Sequence, residues 1–225
     1  MKSITIFWFR RDLRIEDNCG LFHALKENKN VLPIFIYDLN ILKNFSDDDP
    51  RIEFIYNSLK LLDNTFKKNQ SSIKIFKGKP EKIFSQLLID YDVKNVFFNR
   101  DYEPYAIERD EKIKKFLNSK KINVFDFIDH VIYEKNDIVK ADGSPYKVYT
   151  PYSKLWLSRF LSEGIEKFES QNYLKNLLKF KNQDKISFEN LGFKTSLIKI
   201  PKYKIDLNLI AVSYTHLTLP TNREV

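Results

Sequence analysis

The sequence predicts an α/β fold, a doubly wound parallel sheet of five strands with helices on both faces, and three observations predict it. Five short runs stay apolar on nearly consecutive positions, at Ile4–Phe9, Val31–Tyr37, Ile73–Phe76, Asn95–Asn99 and Asn123–Phe127. Such runs mark strands covered on both faces, whereas strict alternation would mark one wet face. Helical stripes lie between the runs, and strands alternating with helices call for right-handed crossovers in a parallel sheet. The chain of 225 residues, 43% apolar and 15% aromatic, is long enough for that core and part of a second.

The first run ends in "RRDLRIEDN", where Arg10, Arg11, Asp12, Arg14, Glu16 and Asp17 crowd together. Charge straight after a buried strand costs desolvation unless it is paired or used. Arg14 and Asp17 read as pins between this loop and the next helix, with Asp17 as its cap. A second helix follows "DDDP": Asp49 caps it, Pro50 suits its first turn, and Phe54, Leu59, Leu62 and Phe66 form its stripe. The next opens with Pro80 and Glu81 and presents Ile83, Phe84, Leu87, Leu88 and Tyr91. Another, Tyr105 to Leu117, is charge-rich outside, with Ala106, Ile113, Phe116 and Leu117 inward. Beyond Phe127 the texture changes to a turn at Asp142-Gly143 and aromatics interleaved with Lys and Pro. Pro151 suits a helix start, with Tyr152, Leu155, Trp156 and Phe160 on one side. Residues 164–210 are polar, Lys- and Asn-rich and weakly periodic, as an extended linker would be.

Composition excludes several classes. No eighteen-residue apolar window exists, so no membrane span is expected, and the N-terminus lacks a signal-peptide pattern. Cys19 is the only cysteine, which forbids an internal disulfide and fits a reducing cytoplasm. With three scattered histidines beside it, no metal site is expected. The net charge of +8 favours anionic partners such as nucleic acid. The 30 lysines against 8 arginines, with abundant Ile, Asn and Phe, equally fit AT-rich codons. Only five glycines occur, and none forms G-x-G-x-x-G or G-x-x-x-x-G-K, so a Rossmann-like sheet is expected without a glycine-rich phosphate cradle. Neither G-x-S-x-G nor H-E-x-x-H is present.

The last fifteen residues, "AVSYTHLTLPTNREV", change composition abruptly: they carry three of the seven threonines, and no lysine follows Lys204. Val212 to Thr221 is the translation of a string resembling a sequencing-library adapter. Residues 211–225 are therefore expected to be a non-native tail, and the natural protein is expected to continue past Ile210.

In a doubly wound sheet, ligands sit outside the carboxyl ends of the strands, where strand order reverses. Three strand ends are unusually polar here: Arg10-Arg11-Asp12, Tyr37-Asp38 and Arg100-Asp101-Tyr102-Glu103. Charges of both signs around one crevice suit a planar heteroaromatic ligand. The plainer alternative is an Arg–Asp network that ties the loops together. "WFRRDLRIEDN" (8–18), "RDYEPYAIERD" (100–110) and "SPYKVYTPYSKLWL" (144–157) together resemble three signatures of the N-terminal region of the DNA photolyase/cryptochrome family, in the family's order, over residues 1 to about 160.

That resemblance implies an α/β antenna domain over 1–130, a junction segment and helix over 131–163, an interdomain linker over 164–210, and then an all-helical domain. The helical domain holds FAD and receives a damaged pyrimidine pair flipped out of DNA. The chemistry is the cofactor's, so the resemblance implies no catalytic residue in this part. Damaged DNA is the implied partner of the parent protein, a monomer, together with the helical domain itself. The Thr-Ser-Arg-Leu segment of the family's FAD pocket is absent, which leaves FAD without a site here. Members with a folate antenna often show Asn-Glu beyond the "YE" of the second motif. Pro104-Tyr105-Ala106 follows here instead, and this favours a deazaflavin or flavin antenna over folate, if there is one. The residues expected to line that site are Arg11, Phe35, Asp38, Asp101 and Glu103, although Phe35 equally suits the core. Tyr146, Tyr149, Tyr152 and Trp156 are expected to pack at the domain junction, in preference to Lys147 and Lys154 touching phosphate. Two other functions share these features: a cryptochrome photosensor, and a stand-alone small-molecule-binding α/β module ending near residue 135.

Overall fold

The computed structural model describes residues 3–180 and 187–198. The predicted tail and most of the end of the expected linker lie outside them. Five parallel strands form one sheet: β1 (Ser3–Phe9), β2 (Val31–Asp38), β3 (Lys74–Gly78), β4 (Asp92–Asn99) and β5 (Asn123–Phe127). Their order is β3-β2-β1-β4-β5, so the chain winds outward from β1 in one direction and then the other. β1 pairs with β2 from Thr5↔Val31 to Phe9↔Phe35, and with β4 from Ser3↔Asp92 to Phe7↔Phe97.

Side-chain alternation divides the core in two. Phe7, Phe9, Phe35 and Tyr37 face α1 (Cys19–Glu27) and α3 (Pro50–Lys68), the latter reached through the short α2 (Leu39–Leu42). Ile4, Ile6, Trp8, Ile34 and Ile36 face α4 (Pro80–Asp90) and α5 (Pro104–Ser119). The central strands β1 and β2 are buried almost throughout, which is why their sequences do not alternate. No helix among the described residues is long and apolar enough to cross a membrane.

Two local expectations differ from the structure. Asp49 does cap α3, accepting from the Arg51 amide at 2.9 Å, but Phe54 is 56% exposed. The buried stripe is Ile52, Tyr56, Leu59, Leu62 and Phe66. Phe54 sits about 140° round the helix from Leu59, on the wet side. α1 is capped by Asn18, whose side chain accepts from the Leu21 amide, and not by Asp17. Asp17 adopts a left-handed conformation (φ 51°) and accepts from the Phe168 amide at 3.2 Å.

The stretch expected as an extended linker also folds back. A 3₁₀ turn at Ser170–Asn176 puts Leu174 and Leu177 against the α1 and α3 side of the sheet. Leu177 bridges Val31, and the Leu178 amide donates to the Val31 carbonyl at 2.8 Å. Phe188 and Phe193 bury their rings beside Tyr56 and Tyr37. Four or five isolated apolar side chains suffice for this, and isolated side chains have no period to read. By contrast α6 (Tyr149–Glu163) buries none of its residues, and Tyr149, Leu157 and Leu161 stand exposed.

Candidate functional site

The reversal point of strand order lies between β1 and β4, and the protein fills it with its own side chains. Asn99, the last residue of β4, donates through Nδ2 to Asp12 Oδ2 at 2.6 Å and to Asn18 Oδ1 at 2.8 Å. The first three amides of α1 are all taken: Cys19 by Asp129 (3.0 Å), Gly20 by Asn99 (2.8 Å) and Leu21 by Asn18 (3.0 Å). Those amides are where a dinucleotide fold receives phosphate. A Cβ at residue 20 would stand 2.5 Å from Asn99 Oδ1, so glycine is required there by its neighbour and not by a ligand. Arg14 ties the same corner together, donating to Asp129 at 2.9 Å.

The open site lies alongside. A cleft of about 870 Å³ straddles the carboxyl edge, taking Phe35 and Tyr37 from one face of the sheet and Trp8 and Ile36 from the other. Its rims come from α2, the start of α3, the loop after β4 and the first turns of α5. At its floor Arg10 and Arg109 share Asp110, which lies behind them. Arg10 Nη1 bonds Asp110 Oδ2, and Arg109 Nε and Nη2 reach Asp110 Oδ1 at 3.0 and 2.9 Å. Both guanidiniums lie near the Trp8 ring, 5.3 and 4.9 Å from its centroid. Burial pulls the Arg10 pKa below its ordinary value, against the opposing charge of Asp110.

Asp38 ends β2 and caps α2, accepting from the Asn40 amide at 2.9 Å and from the Tyr105 hydroxyl at 2.6 Å. Desolvation, reinforced by that bond to a carboxylate, pushes the Tyr105 phenol up to about 12. Arg11 is exposed at the rim and faces Asp101 at 3.5 Å and Glu103 at 3.4 Å. Arg51, lying over the Phe45 ring at 4.2 Å, closes the opposite side. An apolar slot with hydrogen-bonding groups of both signs at its edges matches a flat heteroaromatic ring.

All five residues expected from the sequence, Arg11, Phe35, Asp38, Asp101 and Glu103, line this one cleft. Phe35 serves twice, being packed in the core with only 7% exposed. Arg10, which the resemblance to the family puts at the edge of the crevice, lines the cleft as well, whereas Trp8, Tyr105, Arg109 and Asp110 were not anticipated at the site. A signal for the last two existed: Ala106, Arg109, Asp110, Ile113 and Leu117 share one helical stripe, and all are buried.

Residues 5–171 match the family model described as DNA photolyase. The chain belongs to the DNA photolyase family. A deoxyribodipyrimidine photo-lyase of Synechococcus is 29% identical over 156 residues, covering 69% of this chain and 32% of that protein. A bacterial class III photolyase from Agrobacterium tumefaciens superposes with a TM-score of 0.67 at 25% identity, over 84% of this chain and 38% of the other. An archaeal photolyase from Sulfolobus tokodaii, solved with two FAD molecules and described as implying a novel light-harvesting cofactor, matches with a TM-score of 0.54 at 38% identity, over 59% of this chain and 31% of the other. The chain thus spans about a third of the length of these photolyases.

Proposed function

We propose that this chain is the antenna-bearing N-terminal part of a deoxyribodipyrimidine photo-lyase, the whole protein using blue light and FAD to split cyclobutane pyrimidine dimers in DNA. In this reading Arg11, Phe35, Asp38, Asp101 and Glu103 surround a light-harvesting ring, a deazaflavin or flavin in preference to folate. The observation that carries it is convergence: the first signature supplies Trp8, Arg10 and Arg11, the second supplies Asp101, Glu103, Tyr105 and Arg109, and both close on one cleft. The second flavin of the Sulfolobus protein is consistent with such a site. Residues 1–130 act as the antenna domain, 131–163 as the junction, 164–210 as a linker that packs Leu174, Leu177, Phe188 and Phe193 back onto that domain, and 211–225 as a foreign tail. The bare face of α6, with Tyr149, Leu157 and Leu161, is then covered by a helical domain that holds the FAD.

The parent protein is expected to restore dimer-containing oligonucleotides under blue light and not in the dark. Light-dependent flavin chemistry without repair would turn the assignment toward a photosensor. The chain itself, titrated with riboflavin or 5-deazariboflavin, is expected to quench the ring's fluorescence at one saturable site. Absence of binding by either ring would remove the antenna role.

A further inference from the structure

One wall of the cleft has no buried anchor of its own. Residues 40–45, from α2 and the loop after it, line the cleft, yet no residue from 39 to 49 is buried. Such a segment opens easily unless something outside it holds it. Its start is fixed by Asn40, whose amide donates to Asp38 at 2.9 Å and whose Nδ2 donates to the Tyr105 hydroxyl at 3.0 Å. Its end is held by residues 187–198. Phe188 and Phe193 are buried with their rings 5.3 Å apart, Phe188 on Tyr56 at 4.6 Å and Phe193 on Tyr37 at 4.9 Å. Gly192, at φ 75°, closes the 3₁₀ turn at Glu189–Leu191 from which Phe193 follows. Lys77 covers the Phe193 ring at 4.1 Å. From there the Lys194 amide donates to the Asp47 carbonyl at 2.9 Å, and the Ser196 amide donates to Glu53 Oε2 at 2.8 Å. Asp47 belongs to the loop after α2, Glu53 to the first turn of α3, and Tyr37 lines the cleft itself.

We propose that residues 187–198 form a strap that fixes this wall, so that seating of the strap and binding of a ring in the cleft strengthen each other; this rests on the cleft holding a ring chromophore. Strap and ring order the same segment, the strap through Asp47 and Tyr37, the ring through residues 40–45. Whichever is in place first has already reduced the freedom of that segment, so the second loses less in ordering it. Such coupling is reciprocal. The factor by which the strap raises affinity for the ring is the factor by which the ring favours closure of the strap. Phe193 is therefore a positioning residue, acting on the ligand through Tyr37 and the wall without touching it. Because the strap belongs to the stretch expected as the linker, the linker registers whether the cleft is filled.

The test is Phe193→Ala in the full chain, titrated with riboflavin beside Leu174→Ala. Both remove a buried side chain from the same stretch, but Leu174 belongs to the 3₁₀ turn that lies on α1. Phe193→Ala is expected to weaken riboflavin binding about tenfold, and Leu174→Ala by less than about twofold. In the unaltered chain, saturating riboflavin is expected to slow hydrogen exchange of the Lys194 and Ser196 amides about tenfold. The Leu178 amide, bonded to the Val31 carbonyl on the same stretch, is expected to exchange at an unchanged rate. Equal losses from the two variants, or Lys194 and Ser196 exchange indifferent to bound riboflavin, would overturn the coupling and leave the cleft reading standing. Failure of both riboflavin and 5-deazariboflavin to bind the unaltered chain would overturn both. The exchange measurement uses the unaltered chain, so it decides the matter even if Phe193→Ala does not fold.

Discussion

Two crevices open at the carboxyl edge of one sheet, and they are finished in opposite ways. Between β1 and β4, Asp12, Asn18, Asn99 and Asp129 meet one another and the amides of α1, so each donor there has an acceptor within the chain. Over β1 and β2, a cleft of about 870 Å³ stays open between Arg11, Asp38, Arg51 and Tyr105. The residue types are similar on both sides of β1. What separates them is that side chains of the chain fill the first and leave the second open. The usual phosphate position of a doubly wound fold is spent on the protein's own side chains, and the free surface moves one strand over.

The largest expected effect concerns the closed side. Cys19 begins a helix, a position that normally activates a thiol. Burial, with the charge of Asp129 next, instead pushes it up to about 12. At pH 8 its alkylation is expected to be roughly a thousandfold slower in the native protein than after denaturation. Because the folded pKa lies above the unfolded one, this group's contribution to stability is full below the ordinary value of 9.0 and declines as pH rises toward 12. Rapid native labelling would show that the corner opens.

Asn99→Ala should come next, since it strips partners from Asp12, Asn18 and the Gly20 amide at once. A loss of about 3 kcal/mol is expected in urea unfolding. Gly20→Ala, pressed against Asn99, should cost about 2 kcal/mol. If either is neutral, the two crevices do not differ as described.

The smallest effects belong to the open side. Tyr105→Phe removes one bond to Asp38 from a partly exposed ring, and should cost less than about 1 kcal/mol in the ligand-free chain. In the unaltered protein the Tyr105 phenol should titrate near 12, and its contribution to stability should decline as pH rises from the ordinary 10.0 through that value. A cost as large as that of Asn99→Ala would make Tyr105 part of the scaffold and blur the contrast.

The strands were legible because β1 and β2 are covered on both faces and stay apolar for most of their length, as β4 does over Val96–Phe98. The cleft was partly legible, because polar residues directly after buried strands must meet at one edge. Arg109 and Asp110 escaped because a paired buried charge and a solvated one look alike in a charge-rich helix; only their place in the Ala106–Leu117 stripe separates them. Leu174, Leu177, Phe188 and Phe193 escaped because each is a single anchor in a polar stretch. Asp17 and Asn18 are adjacent and both suit a helix cap, and the choice between them was made by the buried bond from Asn99.

The most direct measurement is a crystal structure of this chain saturated with riboflavin. The ring is expected in the cleft lined by Arg11, Phe35, Asp38, Asp101 and Glu103, with Asn99 still on Gly20. A ring seated at the start of α1 with Asn99 displaced, or a cleft left empty at saturation, would contradict the assignment.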